Sequence, residues 1–399
     1  FFFFFFSLYM TFQIANAILK KNGWKKYLFT IAYNGTKFHG VTPQTGVETV
    51  APYLQEACEK FVGKNNVKHL TFSSRTDTGV HAYGNTAHVY LRNRKKQTGK
   101  ILKPHDTFTL LRGINYYLHS SVGNSKTRIW PKKKKHSSIP SLVLSTSSKI
   151  PAINIVNVNS VHDDFHVRHS ANGRTYMYHI RRPLVNYTLG NLFDNHLVWT
   201  LPIKKTNKLK YMYESKEFMN PSNLLLNVND MKKAASQCVG KDIDVSAFRS
   251  SGCQSSSAVR DIREIDIEEK IIYYQDDKKD DSLFDQLYKR RVTYLGNAYH
   301  ESNLYLKNND LLSYQIPIMQ EILIKVHGSS FVYNQIRNMV GYFVQVGTGN
   351  EDPALTTTHL NKKKRLPYTA PPTGLALMKV HYNESELDPE DDYHDVATF

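Results

Sequence analysis

Between two alternating apolar stretches the chain reads Ser73-Ser74-Arg75-Thr76-Asp77-Thr78-Gly79-Val80-His81-Ala82. An arginine and a carboxylate stand two apart, a glycine follows, and β alternation resumes at Asn85-Thr86-Ala87-His88-Val89-Tyr90. A loop of this kind holds a carboxylate at a sheet edge, where binding and catalytic groups are commonly mounted on a rigid scaffold. The chemistry within its reach is nucleophilic attack, or stabilisation of positive charge, by Asp77. A structural turn in which Asp77 bonds backbone and pairs with Arg75 gives the same pattern, so the loop alone leaves function open.

Other chemistries have weaker support. Cys58, Cys238 and Cys253 lie far apart with no CxxC pair, which favours neither a disulfide framework nor a thiolate zinc site and points to a reducing compartment. His162 and His166 stand four apart, and His166 and His169 three apart. Their segment reads as extended rather than helical, so the spacing converges no metal ligands and ordinary histidines are expected. With 52 Lys and Arg against 35 Asp and Glu, the formal charge of +17 favours a polyanionic partner, nucleic acid or an anionic membrane surface. The runs Lys132-Lys133-Lys134-Lys135 and Lys362-Lys363-Lys364-Arg365 read first as solvated loops.

The elements that must position these groups follow from periodicity. The first half predicts a strand (Tyr27 to Tyr33), a helix (Val47 to Val62), strands at His69 to Ser73 and Thr86 to Leu91, a helix near Thr107 to Leu118 and a strand (Ala152 to Val158). Val47, Val50, Leu54, Cys58 and Phe61 form the apolar stripe of the first helix. The second half repeats the order: a strand (Arg174 to Arg181), a helix near Pro221 to Val239, strands at Ile262 to Glu269 and Glu321 to Val326, a helix (Phe331 to Val346) and a strand (Gly374 to His381). Here Phe331, Gln335, Met339 and Phe343 share a face.

Two β-α-β-β-α-β halves predict an α+β fold: one mostly antiparallel sheet, helices packed on it, and a central cleft. The expected divisions are an extension over 1–26, an N-terminal subdomain over 27–158 with a basic insertion at 119–150, a C-terminal subdomain over 159–382 with an insertion at 270–320, and an acidic tail over 383–399. Residues 1–19 open with six consecutive phenylalanines and carry no charge, an anchor-like composition, yet Met10 offers a start and the phenylalanine run reads as upstream sequence. From Met10 to Lys26 there are lysines and no acid, so localisation stays open among mitochondrial, cytoplasmic and nuclear sites, with no membrane expected.

The catalytic-type loop resembles that of the TruA-type tRNA pseudouridine synthases, in which a [GS]RTDxGVHA stretch carries the catalytic aspartate. Further blocks follow in the family's order: Tyr33 to Gly40, Asn115 in Ile114 to Leu118, Phe165 to Ala171 with Arg174 to Tyr178, Asp244 to Phe248 with Val259-Arg260, Val326 to Gly341, and Ala370 to Leu377. Together they span Tyr27 to Tyr382. The Ser-Ser-Arg-Thr-Asp spelling and Trp199-Thr200-Leu201-Pro202 resemble the pseudouridine synthase-like 1 branch most. Ser74 replaces the family's usual glycine and Val41 its usual tryptophan, departures that bear on substrate details.

The resemblance implies the pseudouridine synthase fold with two ferredoxin-like halves, and isomerisation of uridine in the tRNA anticodon arm by a homodimer. It implies no cofactor and no metal. It assigns Asp77 as nucleophile, Arg75 as the side chain inserted where the extruded base stood, Tyr176 as the platform under that base, and Leu375 as its cover. Arg337 is the candidate cation that keeps Asp77 ionised, as a carboxylate in a desolvated cleft requires. Taken singly, Tyr176 and Leu375 read as core and Arg337 as a cap or a solvent-facing group. Lys37, Arg168, Arg174 and Arg181 are candidate phosphate contacts. The competing class is a non-catalytic RNA-binding or RNA-folding protein on the same scaffold.

Overall fold

In the computed structural model the described residues are 18–95, 97–121, 152–183, 196–201, 225–274 and 316–387. The class is α+β, and all but one of the described strand pairings are antiparallel. The chain divides into two compact units, one taking in residues 1–172 and 382–399, the other 173–381. Most of the sequence expected as insertions, as N-terminal extension and as acidic tail lies outside the described residues.

The first unit runs β1 (Trp24–Tyr33), α1 (Val50–Val62), β2 (Val67–Phe72), β3 (His81–Arg92), α2 (Thr107–Ser121) and β4 (Ile153–Ser160). β1 pairs with both β3 and β4, and β2 pairs with the other side of β3. Apolar residues follow one another along β1 because both its faces are covered. Tyr27, Phe29 and Ile31 are buried in alternation, while Leu28 packs with Val161, Phe165 and Val167. The helices bury Leu54 and Cys58 from α1 and Leu110, Ile114 and Leu118 from α2. Asn115 bonds both backbone groups of Ile155 at 2.8 Å, so a side chain takes the place of a further strand beside β4. The chain returns to this unit at its end: Tyr382 donates to the Val167 carbonyl at 2.8 Å, and its ring lies 5.1 Å from that of Phe165.

The second unit runs β5 (Gly173–Pro183), β6 (Trp199–Thr200), α3 (Val228–Ser236), β7 (Gly240–Asp244), β8 (Val259–Tyr274), β9 (Ile316–Gly328), α4 (Gln335–Gly347), α5 (Thr356–Lys362) and β10 (Leu375–His381). Its strand order is β10-β5-β9-β8-β7, with β6 parallel to the end of β5. α4 is buried along most of its length, through Met339, Val340, Tyr342 and Phe343.

Element edges differ from the periodicity for local reasons. α1 begins at Val50 rather than Val47, because Thr49 is extended at the N-cap and Val47 is exposed. α4 begins at Gln335 because Asn334 is left-handed, which leaves Phe331 ahead of the helix rather than on its face. β8 and β9 pair from Ile262↔Gly328 out to Tyr274↔Ile316, beyond the strand ends expected from apolar spacing. The Phe165–Ser170 segment, expected to be extended, is a turn closed by Ser170 N–H donating to the His166 carbonyl at 2.8 Å. In it His166 Nδ1 accepts from the backbone N–H groups of Arg168 and His169, so this ring nitrogen is committed to the turn.

Candidate active site

The loop bearing Asp77 joins β2 to β3 and is strapped down from several sides. Ser73 N–H donates to the Thr86 carbonyl at 2.8 Å, and Asn85 Nδ2 donates to the Ser74 carbonyl and to the Tyr33 hydroxyl, each at 3.1 Å. That hydroxyl also shares a 2.8 Å hydrogen bond with Thr76 Oγ1. Val80 N–H closes the turn on the Asp77 carbonyl at 3.1 Å, and Gly79 supplies its positive φ of 79°. Ser73, Ser74, Thr76, His81 and Asn85 are buried, Asp77 is half-buried and Arg75 exposed. Alternate side chains thus anchor the loop while the two charged ones are presented.

Two glycines explain the Tyr33 to Gly40 block. A Cβ on Gly35 would lie 2.0 Å from the Val80 carbonyl oxygen, and one on Gly40 would lie 2.7 Å from that of Thr76. Gly35 N–H donates to His81 Nδ1 at 3.1 Å, and Gly79 N–H to the Phe38 carbonyl at 3.2 Å. Only residues lacking a side chain let the segment after β1 approach the Asp77 backbone so closely. Tyr33, Gly35, Gly40, His81 and Asn85 are positioning residues that reasoning from the sequence quoted without a role. Asn85, a fully buried amide beginning an alternating strand, was the available signal.

In the second unit Tyr176 lies on β5 opposite Leu377 of β10, and Leu375 lies opposite Tyr178. Tyr176 and Leu375 are therefore diagonal neighbours on one face of the β5–β10 pair. The Tyr176 ring meets Phe331 edge-on at 5.4 Å between centroids. Arg337, on the first turn of α4, donates from Nε to the Ala370 carbonyl at 2.8 Å and from Nη1 to Asn334 Oδ1 at 2.9 Å. Burial raises the Tyr178 phenol, and the Arg337 charge acts in the opposite direction, so this guanidinium lies near the same strand pair. Tyr178 donates to the Pro371 carbonyl at 2.7 Å and holds the segment entering β10.

The four candidate phosphate contacts separate. Lys37 is exposed; Arg168 is exposed with its Nε donating to the Phe72 carbonyl at 2.9 Å; Arg174 Nη1 donates to the Ser329 carbonyl at 2.9 Å. Arg181 is buried and gives Glu321 Oε1 two bonds, of 2.9 and 2.7 Å, so its charge is committed to that carboxylate rather than to a phosphate. The three cysteines are free thiols. Burial raises Cys58 and pushes Cys238 up to about 12, so these two are inert neutral groups.

The family model described as tRNA pseudouridine synthase matches residues 234–383. Among curated proteins, the tRNA pseudouridine synthase A of Anaplasma marginale (strain Florida) is 26% identical, over 90% of this chain and 100% of its own length. The tRNA pseudouridine synthase A of Wolbachia pipientis subsp. Culex pipiens is 28% identical with the same coverage. The human tRNA pseudouridine synthase-like 1 is 26% identical over 90% of each chain. The chain is similar to the TruA-type tRNA pseudouridine synthases over residues 234–383 and along the length of these relatives. Similarity to these pseudouridine synthases runs along nearly the whole chain, so it includes the Asp77 loop, which lies outside the segment matched by the family model. Among the described residues, no helix is long and apolar enough to cross a membrane, and no group of three metal-ligating side chains is placed to hold an ion.

Proposed function

We propose that this protein isomerises uridine to pseudouridine in tRNA, with Asp77 as the nucleophilic or charge-stabilising carboxylate. The observation that supports it most is the β2–β3 loop, whose polar side chains are buried in bonds to Tyr33 and Asn85 while Arg75 is exposed and Asp77 half-buried. In the reaction the N1–C1′ bond breaks, the uracil turns, and a C5–C1′ bond forms. C5 then loses its proton to solvent and N1 gains one, so base and sugar keep all their heavy atoms and no electrons are gained or lost. A fixed carboxylate suffices for the developing charge at C1′, by attack or by field.

The target base leaves its stack to be reached, which costs a few kcal/mol. Arg75 takes the vacated place, Tyr176 supports the extruded ring and Leu375 covers it, while Arg337 keeps Asp77 ionised. This reading takes two ferredoxin-like halves as the scaffold. It further takes the anticodon arm as the target and a homodimer as the working form.

The test is tritium release from tRNA carrying 5-tritiated uridine. Wild-type protein should release tritium, and Asp77→Ala and Asp77→Asn should not. Equal release by wild type and Asp77→Asn would reject the assignment, and binding without release by all three would favour a non-catalytic RNA-binding protein. Tyr176→Phe should slow turnover about tenfold with its melting temperature retained; loss of folding would place Tyr176 in the core alone.

A further inference from the structure

A hollow of about 450 Å³ opens in the first unit beside the Asp77 loop. Its wall combines Val41 and Pro43 from the segment after β1, Ala51 and Pro52 from the first turn of α1, and Leu70 and Phe72 from β2. Arg75 and Arg168 complete the lining, with Thr42, Gln55 and Thr71 and no carboxylate. An apolar wall with two guanidinium groups and no acid suits a flat ring joined to an anion. The volume falls within the range of ligand sites, which start at roughly 300 Å³.

Position and pre-orientation narrow the occupant. Arg75 stands two residues before Asp77 on the same loop, so their Cα atoms are at most about 7 Å apart, on the scale of one nucleotide step. The Arg168 Nε–H is spent on the Phe72 carbonyl at 2.9 Å, which fixes the plane of its guanidinium at the end of β2 before any ligand arrives. The lining also includes Val41, a side chain small enough to leave room for a flat ring.

We propose that this hollow receives the unstacked base of the nucleotide next to the target uridine. Its ring lies on the Val41, Ala51, Leu70 and Phe72 wall, and its phosphate meets Arg168. The inference rests on the RNA reading given above and adds a second base-binding position to it. A protein reading two consecutive nucleotides discriminates by the neighbour as well as by the uridine, because each stacked base contributes separately to affinity.

The test uses the full-length protein and tRNA transcripts in which the nucleotide 5′ or 3′ of the mapped target uridine is abasic. Removing one of these bases, but not the other, should raise KM about tenfold. Ala51→Phe, which fills the hollow from α1, should raise KM on intact tRNA by a similar factor and add no further loss on the abasic transcript. Gln55→Trp fills the same space from the next turn and replaces Ala51→Phe if that variant misfolds. Losses that multiply, or abasic substitutions without effect on either side, would overturn the proposal. If wild-type protein converts no uridine, the function itself falls, and the same comparison made on binding affinity, with abasic sites scanned along the bound RNA, still decides the hollow.

Discussion

Arg337 Nε donates to the carbonyl oxygen of Ala370 at 2.8 Å, fastening the first turn of α4 to the segment that leads into β10. The second bond, from Nη1 to Asn334 Oδ1, fixes the plane of the guanidinium. Arg337→Lys keeps a positive charge but cannot make both bonds in this geometry. It should lower kcat by about tenfold or more, and Arg337→Ala by about a hundredfold. Single-turnover rates with saturating tRNA check this, alongside unfolding free energies from denaturant titration that should fall by about 1 kcal/mol. Full activity of Arg337→Ala would remove Arg337 from the mechanism.

Gly40 combines a φ of +88° with a backbone packed against Thr76, the residue before Asp77. Gly40→Ala should therefore strain the chain by about 1–2 kcal/mol and also push the loop. Gly46, with a φ of +78° and open space around it, separates these effects. Gly46→Ala should lower the melting temperature comparably while leaving kcat alone, whereas Gly40→Ala should lower both. Equal kcat values for the two variants would show that loop placement tolerates the displacement.

His88 accepts the Val167 N–H at Nδ1 and is pushed down to about 3, by burial first and then by the charges of His166, Lys26, His69 and Arg168. The folded state thus holds it neutral, while the unfolded chain takes up its proton below its ordinary value of 6.5. Its contribution to stability is present in full above pH 6.5 and is lost as pH falls toward 3. His166, also lowered mainly by burial, acts in the same direction. Urea midpoints measured between pH 7 and pH 4 should decline with acid. In His88→Asn, which keeps an acceptor for Val167 but cannot titrate, the decline should be shallower; an identical slope would exclude His88 as a source.

What the sequence made legible was the order of the main elements, short of β6, β7 and α5, and the loop that presents Asp77, because both are local: strand alternation, an amphipathic stripe and a polar run ending in glycine. Contacts between distant segments were not legible. Gly40 meets Thr76 across 36 positions, and nothing in its neighbours announces that approach. Arg181 reads as one basic residue among many until β5 and β9 pair and place Glu321 directly opposite. The left-handed Asn334 likewise moves the start of α4 past Phe331, since a stripe of apolar residues can continue where the helix does not.

The return of Tyr382 to Val167 has a consequence for biosynthesis. The unit that carries Asp77 is interrupted in sequence by the whole of residues 173–381, so on the ribosome it stays unfinished until the other unit has been translated. A chain truncated after His381 and released should retain protease resistance in residues 173–381 and lose it in the unit that carries Asp77. Closure of the scaffold around Asp77 would thus wait on the segment that carries Tyr382.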